Sequence, residues 1–162
     1  GGRSSAATSG SGFGNYYPGE TPSMVFDRNV STKYMSFGNC DLSGTHTVEC
    51  GLNTGFYLTP LVGSSRVVSL RFCTGNDAPL RDPMTVTLEG SNQPFSDLTQ
   101  GSSWTLIYNG STGLNSDPGR NAYGVTKNIS NSFWYESYRL LITSKRGVAP
   151  GTQYAEILLT VF

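Results

Sequence analysis

Charge is scarce in this chain: 11 Lys and Arg stand against 11 Asp and Glu, so the formal net charge at pH 7 is zero and only 14% of the 162 residues are charged. No cluster of Lys or Arg is available to neutralise a row of phosphates, which argues against a nucleic-acid partner. The same neutrality removes electrostatic attraction to anionic membranes. No apolar run approaches the roughly 20 residues that span a bilayer. Histidine is scarcer still, with His46 alone. Acyl transfer usually needs a base beside a nucleophile, and no G-x-S-x-G elbow, H-E-x-x-H pair or phosphate-cradling Gly loop occurs. A carboxylate pair for glycoside hydrolysis is decided by spacing in the fold, and none of the 11 acids sits in a telling motif. The expectation is a protein that is not an enzyme. Long amphipathic helices are also missing: no segment of ten or more residues keeps a helical period, although ETPSMVFD suits one turn.

Cysteine is sparse but informative. Cys40 and Cys50 bracket the polar stretch CDLSGTHTVEC. A disulfide closing that loop implies an oxidising, extracellular or cell-surface setting, the alternative being three reduced thiols. Cys73 lies in the apolar run VVSLRFC and reads as a buried free thiol. A zinc site needs more ligands than His46 supplies. The opening GGRSSAATSGSG lacks the apolar core of a secretory signal. Residues 1–14 read as a linker, and 15–162 as one module of a larger multidomain protein. Asn29-Val-Ser, Asn109-Gly-Ser and Asn128-Ile-Ser match the glycosylation acceptor pattern, at a frequency that chance explains in a chain so rich in Asn, Ser and Thr.

Strand signals recur at short intervals between clusters of Gly, Pro, Asn and Asp. They fall at 34–37, 55–59, 66–73, 84–90, 104–109, 133–143 and 153–161. In MTVTLEG, Met84, Val86 and Leu88 share one face while Thr85, Thr87 and Glu89 share the other, the pattern of a half-buried strand with a solvated side. YRLLIT and ILLTV are continuous apolar runs, suited to the covered centre of a sandwich. On these grounds Trp104, Phe133 and Trp134 are expected in the core. The class is all-β, a two-sheet antiparallel sandwich or jelly roll.

Phe26-Asp27-Arg28-Asn29-Val30-Ser31-Thr32-Lys33-Tyr34 carries the densest polar motif. Asp27, Asn29 and Thr32 on a tight loop gather hard oxygen donors of the kind Ca²⁺ accepts, in a shell of about six to eight. One carboxylate is too little charge, and Glu156 in Tyr154-Ala155-Glu156-Ile157 is the second acid expected to join it. An Asx-type turn held by Asp27 and Thr32, without metal, explains the same spacing.

Asp-x-Asn-x-x-Thr-x-aromatic early in the chain, with Ala155-Glu156-Ile157-x-Leu159 at its end, resembles the discoidin family of coagulation-factor C domains and galactose-binding modules. Leu70-Arg71-Phe72, Thr74 to Pro83, Leu88 to Asn92, Trp104 to Ile107 and Tyr138 to Thr143 resemble that family's middle strands, in the same order. The resemblance runs from about residue 20 to 162. It implies a galactose-binding-domain-like jelly roll, a lectin-like role toward a glycan or glycoprotein, and a structural Ca²⁺. The implied ligands are the side chains of Asp27, Thr32 and Glu156 and the backbone oxygens of Asn29, Thr32 and Ala155. Arg28 stands where the family often has glycine.

Galactose-binding members often place a histidine just after the aromatic that ends the first motif, where this chain has Met35. They also use Arg and Asn from the loop that is here Thr74 to Arg81. Asn76, Asp77 and Arg81 suit vicinal sugar hydroxyls, though each also suits a plain turn, and Arg81-Asp82 a structural ion pair. Tyr16, Tyr17 and His46 are the expected ring contacts. Insertion into membranes is not expected, because the loops are rich in Gly, Ser and Asn. The rival readings are an adhesion module of the same fold, a spacer beside a catalytic domain, and a hydrolase with an unrecognised carboxylate pair.

Overall fold

Alternating and continuous apolar runs need different degrees of cover, and the chain supplies it with two layers of antiparallel sheet. The computed structural model describes residues 1–162. Its strands are β1 (Tyr34–Ser36), β2 (Thr54–Leu58), β3 (Val67–Cys73), β4 (Pro83–Ser91), β5 (Thr105–Ser111), β6 (Lys127–Asn128), β7 (Ser137–Lys145), β8 (Thr152–Tyr154) and β9 (Glu156–Val161). One sheet has the order β2-β7-β4-β5, the other β6-β3-β9, and β1 pairs with β8. All pairings are antiparallel. Helix is confined to four short 3-10 turns, one of them at Pro22–Phe26 within the ETPSMVFD segment.

The core lies between the layers. Phe56, Val86, Leu88, Tyr138, Leu140 and Ile142 project from the four-stranded sheet, and Leu70, Phe72 and Ile157 meet them from the other. Tyr34 and Tyr154, paired across β1 and β8, meet edge to face at 5.6 Å. The continuous run of β7 is covered on both sides, as its composition implies: Leu140 and Ile142 face the core, and Leu141 on the opposite face is buried too.

Three expectations need correction. The Thr87/Glu89 side of β4 is not solvated, because both residues are buried. There Glu89 accepts from Arg139 Nε at 2.5 Å, Arg139 Nη1 donates to the Arg3 carbonyl at 2.6 Å, and Trp104 lies 4.9 Å from the guanidinium. Next, β7 begins at Ser137, not 133. Asn131 Oδ1 caps the Phe133 amide in a turn, so Phe133 and Trp134 point outward, 69% and 51% exposed. Finally, 153–161 is two strands broken at Ala155, and β9 leaves Leu158 exposed, since it is an edge strand.

Residues 1–14 lie along this body. Gly55 N–H donates to Gly1 O, Tyr16 N–H to Thr8 O, and Gly14 N–H to Gly38 O.

Candidate functional site

The break at Ala155 positions the carboxylate motif. Ala155 belongs to neither ladder, and its N–H is held by the Cys73 carbonyl at 3.0 Å. Glu156, opposite Cys73 at the start of β9, is thereby delivered to the loop that follows the Pro22–Phe26 turn. The Asn29 amide donates to both carboxylates, at 2.8 Å to Asp27 Oδ1 and 3.0 Å to Glu156 Oε1. Thr32 Oγ1 lies 2.7 Å from Asp27 Oδ2 and 2.8 Å from the Asn29 carbonyl. Arg28 adopts φ 63°, the left-handed conformation glycine takes most readily, which accounts for a glycine preference at this turn.

Burial raises the Glu156 carboxyl above its ordinary value, and the neighbouring Asp27 adds to the rise. Asp27 is lowered, chiefly by its bond from Thr32. Two carboxylates distant in sequence, Asp27 and Glu156, thus meet at one amide, with an Asx turn between them. No third His, Cys, Asp or Glu joins this pair.

A second polar cluster forms at the neighbouring edge, outside β1 and β8. Alternation along β1 sends Tyr34 inward and leaves Met35 facing Gln153 across the pair. Lys33 Nζ lies 2.5 Å from Asp77 Oδ1 and 3.5 Å from Glu20 Oε1. Gln153 Nε2 donates to the Asp77 backbone carbonyl at 2.6 Å and to its carboxylate Oδ1 at 2.8 Å. Arg81 Nη1 reaches Gln153 Oε1 at 3.2 Å and the Met35 sulfur at 3.4 Å. Two buried atoms here have no partner: Glu20 Oε2 and Arg81 Nε.

The charges in this cluster disturb one another. Burial raises the Glu20 carboxyl against the pull of Lys33. Burial opposes ionisation of Asp77, but the bonds from Lys33 and Gln153 outweigh it and the carboxyl is lowered. Lys145 is lowered to about 8 by burial, and Arg81 adds to the effect.

The fold therefore brings Asp77 and Arg81 together, with Asn76 exposed on the same loop. Tyr17 reaches the same edge: its N–H donates to Met35 O, and Glu20 N–H donates back to Tyr17 O. Its ring packs edge-on against Phe37 at 6.2 Å. Tyr16, one residue earlier and on the opposite side, packs against the core. His46 stays in the disulfide loop, its ring bonded to the Asp41 carbonyl at 3.2 Å. The bridge is Cys40–Cys50, and Cys73 is free and buried. Asp82 is structural, clamped by Arg120 at 2.8 and 2.7 Å with Arg146 at 3.3 Å. Glu20, Lys33 and Gln153 were not legible as site residues, since no local pattern distinguishes them from any other polar residue in a turn or edge strand.

By sequence the chain matches no protein-family model and no curated protein. Its structure is similar to many solved ones. A module of the type called CBM62, from Xyl5A of Clostridium thermocellum, shares 16% identity over 88% of this chain and 84% of its own, with a TM-score of 0.53. The family 32 module of NanJ from Clostridium perfringens, solved with galactose, shares 13% over 88% and 86%, at 0.52. Another Clostridium perfringens family 32 module, solved with GalNAc-β-1,3-galactose, shares 15% over 91% and 94%, at 0.52. The two-layered antiparallel sandwich of this chain is the galactose-binding-domain-like fold that these carbohydrate-binding modules share.

Proposed function

We propose that this chain is a non-catalytic carbohydrate-binding module of a larger extracellular protein, and that it grips a glycan at the cluster of Glu20, Lys33, Asp77, Arg81 and Gln153. One observation carries the reading: Glu20 Oε2 and Arg81 Nε are buried without partners, on side chains whose other polar atoms meet Lys33 and Gln153. A buried acceptor and donor left unmade are costly, and a diol supplies one group for each. Galactose and GalNAc-β-1,3-galactose, held by modules of this fold, are the first ligands to try. The disulfide fits the extracellular setting.

The fold's resemblance also implies Ca²⁺ at the first motif, and the donor set fits it. Asp27 and Glu156 supply two carboxylates that converge on one amide, Thr32 a hydroxyl, and Asn29, Thr32 and Ala155 carbonyls. Such a ring of hard oxygens suits Ca²⁺ better than the compact octahedron of Mg²⁺. When bound, the ion supplies the positive charge that the pair lacks; its role is structural.

Calorimetric titration with these two sugars and with chito-oligosaccharides tests the binding site. Binding by the wild type that is lost in Arg81→Ala, with the fold unchanged by circular dichroism, is the expected result. Equal affinity in both proteins would remove the site from this cluster.

A further inference from the structure

A second cleft lies on the outer face of the four-stranded sheet, sharing no residue with the cluster above. Its volume is about 210 Å³, and Leu141, Tyr57 and Arg139 line it from the sheet, with Ser5, Leu98 and Thr99 from the covering segments. The sheet register explains its composition. Tyr57, Arg139, Glu89 and Leu106 form one row across β2, β7, β4 and β5. Gly55, Leu141 and Thr87 form the next, so a position without a side chain stands beside Leu141.

We infer that this cleft is a separate subsite for one pyranose ring of a glycan. It rests on the carbohydrate-binding reading for the class of ligand, but not for its place. Three features select that chemistry. The exposed aromatic surface in the lining is that of Tyr57, 37% exposed, and Phe95 and Trp104 pack near its ring from outside the lining, at 6.4 and 6.1 Å. A ring carried by a strand, as Tyr57 is by β2, offers flat apolar area for the C–H face of a sugar at little entropic cost. The Arg139 charge is balanced: its guanidinium is bonded to Glu89 and stacked on Trp104. The remaining polar residues in the lining are Ser5 and Thr99 with their hydroxyls, Arg3 with its guanidinium, and the peptide groups of residues 1–3, all able to bond sugar hydroxyls. Beside Leu141, the Thr87 hydroxyl is buried with no partner. The volume is below the usual range for drug-sized ligands, roughly 300–1,000 Å³, and fits a single ring.

The test is a titration of the ¹⁵N-labelled full chain, followed by amide shifts, with galactose, GalNAc-β-1,3-galactose and chito-oligosaccharides. A saturable set of shifts at Tyr57, Thr99 and Arg139 is expected. Tyr57→Ala should weaken that set about tenfold and leave any shifts at Asp77 and Gln153 unchanged, and Tyr57→Phe should restore it. Arg81→Ala should leave the Tyr57 set intact. Shifts confined to the Asp77 cluster, or a Tyr57 set moved by an uncharged aromatic peptide and by no saccharide, would overturn the second subsite. Shifts at Tyr57 alone would uphold it and overturn the cluster as the primary site.

Discussion

Glu156 enters the fold with 1% of its surface exposed and meets Asp27 across a shared amide. Its carboxyl is raised, so between the ordinary Glu value of about 4.3 and that raised value the native state holds more protons than the unfolded one. Stability contributed there is complete below the ordinary value and is lost as pH rises through the window. The lowered Asp27 acts oppositely, its contribution being lost as pH falls through the folded value, but that side chain is exposed and its share is small. In chelator near pH 7, Glu156→Gln should therefore melt no lower than the wild type, and in Ca²⁺ it should melt lower. Melting curves in both buffers check this; a variant that melts lower in both would mean Glu156 serves only packing. At Asp82 the sign differs. Fully buried and bonded by two arginines, it has no spare repulsion to relieve. Asp82→Ala leaves Arg120 and Arg146 without their carboxylate and should cost about 3–5 kcal/mol in urea unfolding.

Between residues and whole, β1 and the loop that follows act as one element. Cys40–Cys50 closes a loop of separation 10, and Gly51 follows it at φ 83°, where a Cβ would stand 2.4 Å from the Thr152 amide. The bridge thus ends where the chain must pass tightly over β8, the strand that carries Gln153. Breaking it by Cys40→Ser with Cys50→Ser should cost about 2–3 kcal/mol on the loop-entropy scale, and the loss should appear in calorimetric melting. Cys73 belongs to a different element. Buried in β3, its thiol is pushed up to about 11 by burial and by the nearby Glu156. A thiol reagent at about pH 8 should find no reactive group in the native chain and one after unfolding. Reaction in the native state would show that β3 opens.

At the scale of the molecule, Asp27 and Glu156 lie near opposite ends of the chain and close the fold between them. An ion that binds only the folded state stabilises it by RT ln(1 + [L]/Kd), about 2.7 kcal/mol at a hundredfold excess over Kd. The melting temperature should rise with Ca²⁺ and hardly at all with Mg²⁺, and Asp27→Ala should remove the dependence. A curve indifferent to Ca²⁺ would leave the motif as the Asx turn that its hydrogen bonds already describe.

Period and composition by themselves determined the all-β class, because apolar alternation and Gly/Pro punctuation act over a few residues at a time. They also paired Cys40 with Cys50, and the continuous run at Tyr138–Ile142 marked the doubly covered centre. Local pattern could not foresee that Thr87 and Glu89 are buried, since residues 1–7 and 95–104 cover them from far away in sequence. Nor could it place Phe133 and Trp134 outside, where one Asn131 turn outweighs their strand propensity. The polar cluster is tertiary in origin: Glu20, Lys33, Asp77, Arg81 and Gln153 come from a turn, the residue just before β1, the loop between β3 and β4, and β8. Only the antiparallel pairing of β1 with β8 sets them side by side, because hydrogen-bond register, unlike periodicity, is a relation between distant residues.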